Sequence, residues 1–318
     1  MECEFDNYIE RRCTESEKWR HDGQDVIPMW VADTDFRSPE PVIRALRERV
    51  EHGIFGYPCE PPELRPVVVE RLERLYGWKV APEALLFMPG VVRGFNIACQ
   101  SVGQPGDGVF LQTPVYYPML DAPANAGMTR DEMELTREAD GRYTIDFDLM
   151  ERTITDRARI FLLCNPHNAV GRVFTRDELE RMAEICLRRD VVICSDEIHA
   201  ELLFRGQRHI PIATLSREVA ERTITLIAPS KTFNIAGLCC SVAIIENADL
   251  RSAFKRVGRG LVSSVNIMGY VAAVAAYRDG QPWLDEMLAY LEANRDYLYD
   301  YVNAELPGRI NVNGISAF

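Results

Sequence analysis

Positive charge is in short supply in this 318-residue chain: 36 basic side chains stand against 48 acidic ones, a formal charge of −12. That balance argues against nucleic acid or an anionic membrane as the main partner, since both bind through cationic surfaces. No apolar run approaches the ~20 residues that a membrane span needs. The stretch from Met1 to Glu10 is acidic and has no apolar core, so no secretory leader is expected. Nine cysteines are present, yet none forms a C-x-x-C pair, which leaves zinc ribbons and thioredoxin-type centres without support. Several cysteines lie inside apolar runs, where they act as small hydrophobes, and a reducing cytoplasm is the expected setting. Internal repeats and low-complexity segments are missing too. What is there is ordinary for a soluble globular protein, 47% hydrophobic and 26% charged. The length suffices for one large core or two domains.

Seven short apolar runs read as strands, at 85–88, 108–112, 131–135, 159–164, 191–195, 223–228 and 241–245. Helical patterns alternate with several of them. The clearest spans 175–189, where Thr175 and Glu178 form a capping box ahead of Leu179, Met182, Ala183 and Cys186. Further helices are expected after Pro39, over 65–76, over 266–277 (apolar almost all round) and over 281–306. Alternation of this kind predicts an α/β fold with a mainly parallel, doubly wound sheet flanked by helices.

Each strand end carries a residue suited to a ligand. Pro89-Gly90 leads into a helix whose first residues are Val91 and Val92, and backbone amides at such a helix start suit a phosphate. Tyr116 follows the strand at 108–112 and can cover a flat ring. Asn168 follows the strand at 159–164 and can donate through its amide. Asp196 ends the strand at 191–195 and can pair with a ring nitrogen, with His199 three residues on. Ser230 and Lys231 follow the strand at 223–228. A buried lysine loses part of its charge preference and becomes a nucleophilic amine able to form a Schiff base. Taken singly, each has an ordinary alternative: a βα turn, core packing, turn chemistry, a helix cap, a satisfied histidine, a surface lysine. The succession of phosphate turn, ring, amide, carboxylate and lysine, each after a strand, is what singles them out.

Six stretches, PMWVADTDFRSP (28–39), HGIFGY (52–57), QTPVYYP (112–118), NPHNAVGRVFT (165–175), SDEIHAEL (195–202) and APSKTFNIAGL (228–238), together resemble a known family. It comprises the fold-type I, pyridoxal phosphate-dependent class I/II aminotransferase-like enzymes, and the likeness is to their cystathionine β-lyase branch (MalY/PatB-type C–S lyases). The resemblance runs over nearly the whole chain. It implies that pyridoxal 5'-phosphate is the cofactor, Lys231 the Schiff-base lysine and Asp196 the partner of the pyridine nitrogen. Asn168 and His199 would contact the ring's O3′, and Tyr116 would stack on the ring. Val91, Val92 and Ser230 would hold the phosphate, and Tyr57 would reach the phosphate of a neighbouring subunit, which implies a homodimer with shared sites.

Four features depart from the family pattern. Cys239 stands where many aminotransferases have a phosphate-binding arginine, and Arg93 stands where the branch usually has proline. Ala169 replaces the proline usual after Asn168, which disfavours a cis peptide there. The sequence ends at Phe318, before the segment from which relatives supply an arginine for the substrate carboxylate. The resemblance implies residues 1–43 as an arm with part of a small domain, 44–280 as the cofactor-binding domain, and 281–318 as the start of a small α/β domain incomplete at its C-terminus. The expected activity is α,β-elimination on cysteine S-conjugates, small amino-acid substrates, giving a thiol, pyruvate and ammonia. The alternatives are an aminotransferase and a catalytically impaired, cofactor-binding or regulatory protein.

Overall fold

The computed structural model describes residues 5–23, 25–306 and 317. Among the described residues nine strands form: β1 (Leu85–Met88), β2 (Gly108–Thr113), β3 (Thr129–Glu134), β4 (Thr136–Arg137), β5 (Tyr143–Thr144), β6 (Ala158–Cys164), β7 (Val192–Asp196), β8 (Thr223–Ile227) and β9 (Ser241–Ile244). Seven of them make one sheet in the order β1-β9-β8-β7-β6-β2-β3. The stretch from β3 to β8 is parallel throughout, and β9 is antiparallel to both β8 and β1. The seven expected strands are therefore the seven of this sheet, with small shifts at their ends. The β4–β5 hairpin was not expected; each of its strands is two residues long, too short to carry a period.

The central strands are near-continuous apolar runs because helices cover both faces of the sheet. In β6, Ile160, Leu162 and Cys164 join one core while Phe161 and Leu163 join the opposite one, as the two-residue period of a strand demands. The edge strand β3 reads Thr-Arg-Asp-Glu-Met-Glu, and its charges discourage pairing with another chain. The capping box at Thr175 and Glu178 is formed and opens the helix Arg176–Arg188. The helix Ile267–Asp279 is largely buried and packs on the helix Glu40–His52.

Residues 5–23 and 25–38 form an arm that is irregular apart from the short helix Glu17–Arg20. Phe5 and Phe36 pack edge-on at 4.9 Å, and both meet Tyr290 of the long helix Gln281–Glu305 at 5.5 Å. These rings draw the arm over the C-terminal edge of the sheet. Among the described residues no helix is long and apolar enough to cross a membrane, and no cluster of acidic, histidine or cysteine side chains is arranged to hold a metal ion.

Candidate active site

Lys231 lies one turn past the end of β8, on the short helix Pro229–Thr232 that also carries buried Ser230. Its Nζ donates to the carbonyl of Ala32 in the arm at 2.8 Å. Burial holds the amine below the ordinary lysine range, against the carboxylates of Asp33 and Asp196, which push it the other way. Desolvation, with no help from a neighbouring cation, is thus what favours the neutral amine.

Asp196 is the last residue of β7 and is buried. Burial pushes its carboxyl up to about 7; the N–H of Ile198, 3.1 Å from Oδ1, and Lys231 oppose this, while Glu197 adds to it. A carboxylate so placed is short of a cationic partner. The protonated ring nitrogen of a pyridine would supply one and restore its charge.

The loops after β2 and β6 are fastened together. Tyr116 donates its backbone N–H to the carbonyl of Asn168 at 3.1 Å. Buried His167 lies between them, its ring nitrogens 3.1 Å from the carbonyl oxygen of Cys164 and 2.8 Å from that of Pro114. Asn168 and His199 line one cleft with Ala32, Pro166, Gly171 and Ala317. The phenol of half-buried Tyr116 is raised by burial, then by Tyr117 and by Asp196. Cis peptides among the described residues are Thr113–Pro114 and Asn165–Pro166; the bond from Asn168 to Ala169 is not one of them, in line with the missing proline.

At the end of β1 the chain turns at Gly90, whose φ of 120° is open only to glycine, and enters the helix Val91–Val102 without a side-chain cap. The N–H of Gly90 donates to Ser241 Oγ at 3.0 Å, so the amides at this open helix start are those that follow, Val91 and Val92 among them. The side chain of Val91 is buried and that of Val92 is exposed. Gly94 lets the helix press on Leu226 of β8, where a Cβ would come within 3.0 Å of that side chain. This close packing seats the helix start beside the strand that leads to Ser230. Such an uncapped turn, with a buried hydroxyl nearby, fits a phosphate group. Arg93 folds its guanidinium back onto the carbonyl of Pro89. Cys239 adopts a left-handed conformation (φ 51°), its thiol against the carbonyls of Ala236 and Gly237.

Lys231, Ser230, Asp196, Asn168, His199, Tyr116 and the Gly90 turn thus gather at one end of the sheet. Tyr57 does not join them: it is fully exposed in the coil before the helix Leu64–Tyr76, next to exposed Ile54 and Phe55. Sequence reasoning assigned no part to Ala32, Asp33 or Asn234, although all three lie in the quoted stretches. A backbone carbonyl such as that of Ala32 leaves no mark in a sequence. It also passed over Glu197, which accepts from Ser195 Oγ at 2.9 Å and meets His209 Nε2 at 2.7 Å.

The sequence matches the family described as aminotransferase class I and II over residues 24–316. It is 41% identical over 310 residues to cystathionine beta-lyase PatB of Bacillus subtilis (strain 168), covering 95% of this chain and 80% of the relative. The crystal structure of OvoB superposes with a TM-score of 0.90 at 45% identity, over 93% of this chain and 78% of that one. The pyridoxal 5'-phosphate-containing structure of cystalysin from Treponema denticola superposes with a TM-score of 0.95 at 32% identity, over 100% and 82%.

Proposed function

The chain belongs to the aminotransferase class I and II family, and from that premise we propose that it is a pyridoxal 5'-phosphate-dependent C–S β-lyase. Its substrates would be cysteine S-conjugates such as cystathionine, converted with one water to a thiol, pyruvate and ammonia. The observation that carries this reading is the pairing of a desolvated amine, Lys231, with a buried carboxylate, Asp196, at the ends of adjacent strands β8 and β7. The cystathionine beta-lyases among its relatives support the reaction class.

When bound, the cofactor supplies a protonated pyridine that takes up the electron pair left by a departing α-proton. Lys231 is the residue of covalent attachment. Its Nζ, when free, would be the base for the α-proton. Asp196 would keep the proton on the ring nitrogen. Asn168 and His199 would hydrogen-bond the ring's O3′, and Tyr116 would cover one ring face and exclude water. The amides of Val91 and Val92 and the hydroxyl of Ser230 would hold the phosphate. Tyr57, standing in an exposed apolar strip with Ile54 and Phe55, would serve the phosphate of a second copy in a homodimer. Free cysteines throughout the described residues agree with a reducing compartment such as the cytoplasm.

The deciding experiment incubates the loaded enzyme with cystathionine and no added keto acid. Pyruvate and thiol formed in equal amounts over many turnovers support the lyase. Dependence of turnover on a keto acid would identify an aminotransferase, and no turnover with either would identify an impaired protein.

A further inference from the structure

Asn234 stands three residues after Lys231 with φ 53°, in the left-handed region that asparagine visits more readily than other side-chain-bearing residues. That conformation turns its side chain back on the arm. Its Nδ2 donates to the carbonyls of Thr34 (3.0 Å) and Phe36 (2.8 Å), and its Oδ1 accepts from Thr34 N–H at 3.2 Å. The carbonyl of Asn234 accepts from Ser38 Oγ at 2.9 Å. The amide thus stands in for a neighbouring strand, binding the arm in both hydrogen-bonding senses. Two residues before Thr34, the Ala32 carbonyl accepts from Lys231 Nζ.

On the reading that Lys231 is the working amine, we propose that Asn234 is a positioning residue: it straps the arm so that the Ala32 carbonyl holds the free lysine amine in place.

A lysine side chain has four rotatable bonds, and a free amine at its end wanders unless something accepts its N–H. Ala32 offers an acceptor without a full charge, so it orients the amine while favouring the ammonium form far less than a carboxylate at the same distance would. Asp33 and Asp196, the anions that act on this lysine, cannot do the same. Lys231 is a free amine in the cofactor-free protein, and would be one again whenever it serves as the base. The arm is itself stiff enough to serve. Asp35 accepts from Arg11 at 2.6 Å, Lys18 at 2.8 Å and the Trp19 indole at 2.7 Å, and Asp33 accepts from Arg11 at 2.7 Å. With the arm rigid and Asn234 joining it to the lysine loop, the carbonyl and the amine keep their register.

The test variant is Asn234→Gly, which tolerates the left-handed backbone and removes only the amide. Three quantities are read: hydrogen exchange over residues 28–38 in the cofactor-free protein, affinity for pyridoxal 5'-phosphate, and the deuterium isotope effect on kcat with α-deuterated substrate. The expected result is faster exchange in the arm, cofactor affinity changed less than about twofold, and kcat lower by roughly tenfold or more with a larger isotope effect, since a misplaced base slows proton removal. Asn234→Asp, which keeps the acceptor oxygen and loses the donors, should fall between. An arm that exchanges as in the parent, or an isotope effect unchanged in a loosened arm, overturns the proposal. Should the glycine variant not fold, Ser38→Ala decides by the same three readings, with smaller changes in the same direction expected and none overturning it. Exchange of the α-proton with solvent in Lys231→Ala is the separate control. If it persists at the parent rate, the lysine reading itself fails, whatever Asn234 does.

Discussion

Glu197 and His209 meet at 2.7 Å with neither side chain open to solvent, one from the turn after β7 and the other from the loop that follows it. The second carboxylate oxygen of Glu197 accepts from Ser195 Oγ at 2.9 Å and from the N–H of Ile212 at 3.3 Å. Three donors therefore share one buried carboxylate beside Asp196. The ring of Tyr76 stands edge-on to the imidazole at 5.6 Å, closing it off.

His209→Ala should leave the Glu197 carboxylate buried and short of one donor. Removing one hydrogen-bond donor from a buried carboxyl costs about 1–3 kcal/mol. Urea denaturation should report a loss of that order, and His209→Gln should recover part of it by offering an amide N–H. A loss below about 1 kcal/mol for the alanine variant would mean that the remaining donors satisfy Glu197 alone.

Asp196 gives the cofactor-free protein a distinctive pH dependence. Burial raises its carboxyl from 3.8 to about 7. Between those values the folded chain keeps a proton that the unfolded chain has released, so stability falls as pH rises. The penalty is absent near pH 4, grows by at most about 1.4 kcal/mol per pH unit, and is complete above pH 7 at roughly 4 kcal/mol. Denaturation midpoints at pH 5, 6, 7 and 8 should show this slope in the parent and lack it in Asp196→Asn. Equal slopes in the two proteins would contradict the assignment.

Much of this site was legible because its residues follow strands that announce themselves. Lys231 and Asn168 come just after the runs Thr223–Ile227 and Ala158–Cys164, and Asp196 ends the run Val192–Asp196, runs whose apolar character admits few other readings. The parallel order followed from the helices between them. The arm was not legible in the same way. Its residues 26–32 are apolar, but their part at the site is played by the backbone of Ala32, which any residue there would offer. His209 gave no signal either, because what brings it to Glu197 is the path of an irregular loop rather than a period. Asn234 sat in a quoted stretch, yet its value lies in one backbone angle, which sequence does not display.

The attachment site can be checked with little ambiguity, since the chain has four lysines, Lys18, Lys79, Lys231 and Lys255. Lys79 and Lys255 are exposed, and Lys18 is occupied by Asp35 and the carbonyl of Asp33. Borohydride reduction of the loaded protein followed by peptide mapping should place the pyridoxyl group on Lys231. Lys231→Ala should lose the yellow colour while keeping its far-UV circular dichroism. A label on any of the other three would withdraw the mechanism proposed for Lys231.

The exposed strip of Ile54, Phe55 and Tyr57, with Ile27 and Met29 also exposed, bears on how many chains make one site. Isolated apolar side chains are normal on a surface, whereas a cluster of large ones marks a contact. If Tyr57 serves a neighbour, Tyr57→Ala chains and Lys231→Ala chains should complement each other. In a hybrid dimer the first chain keeps Lys231 and borrows the second chain's Tyr57, giving one intact site and one doubly defective one. Refolding the two variants together at equal amounts makes half the dimers hybrids, so about a quarter of the parent's sites should be restored, with cofactor affinity at those sites like the parent's. Activity no greater than the sum of the separate variants, from a mixture shown to contain hybrids, would place Tyr57 in the service of its own chain or of none. Sedimentation of the parent as a monomer at micromolar concentration, still binding the cofactor, would remove the shared site altogether.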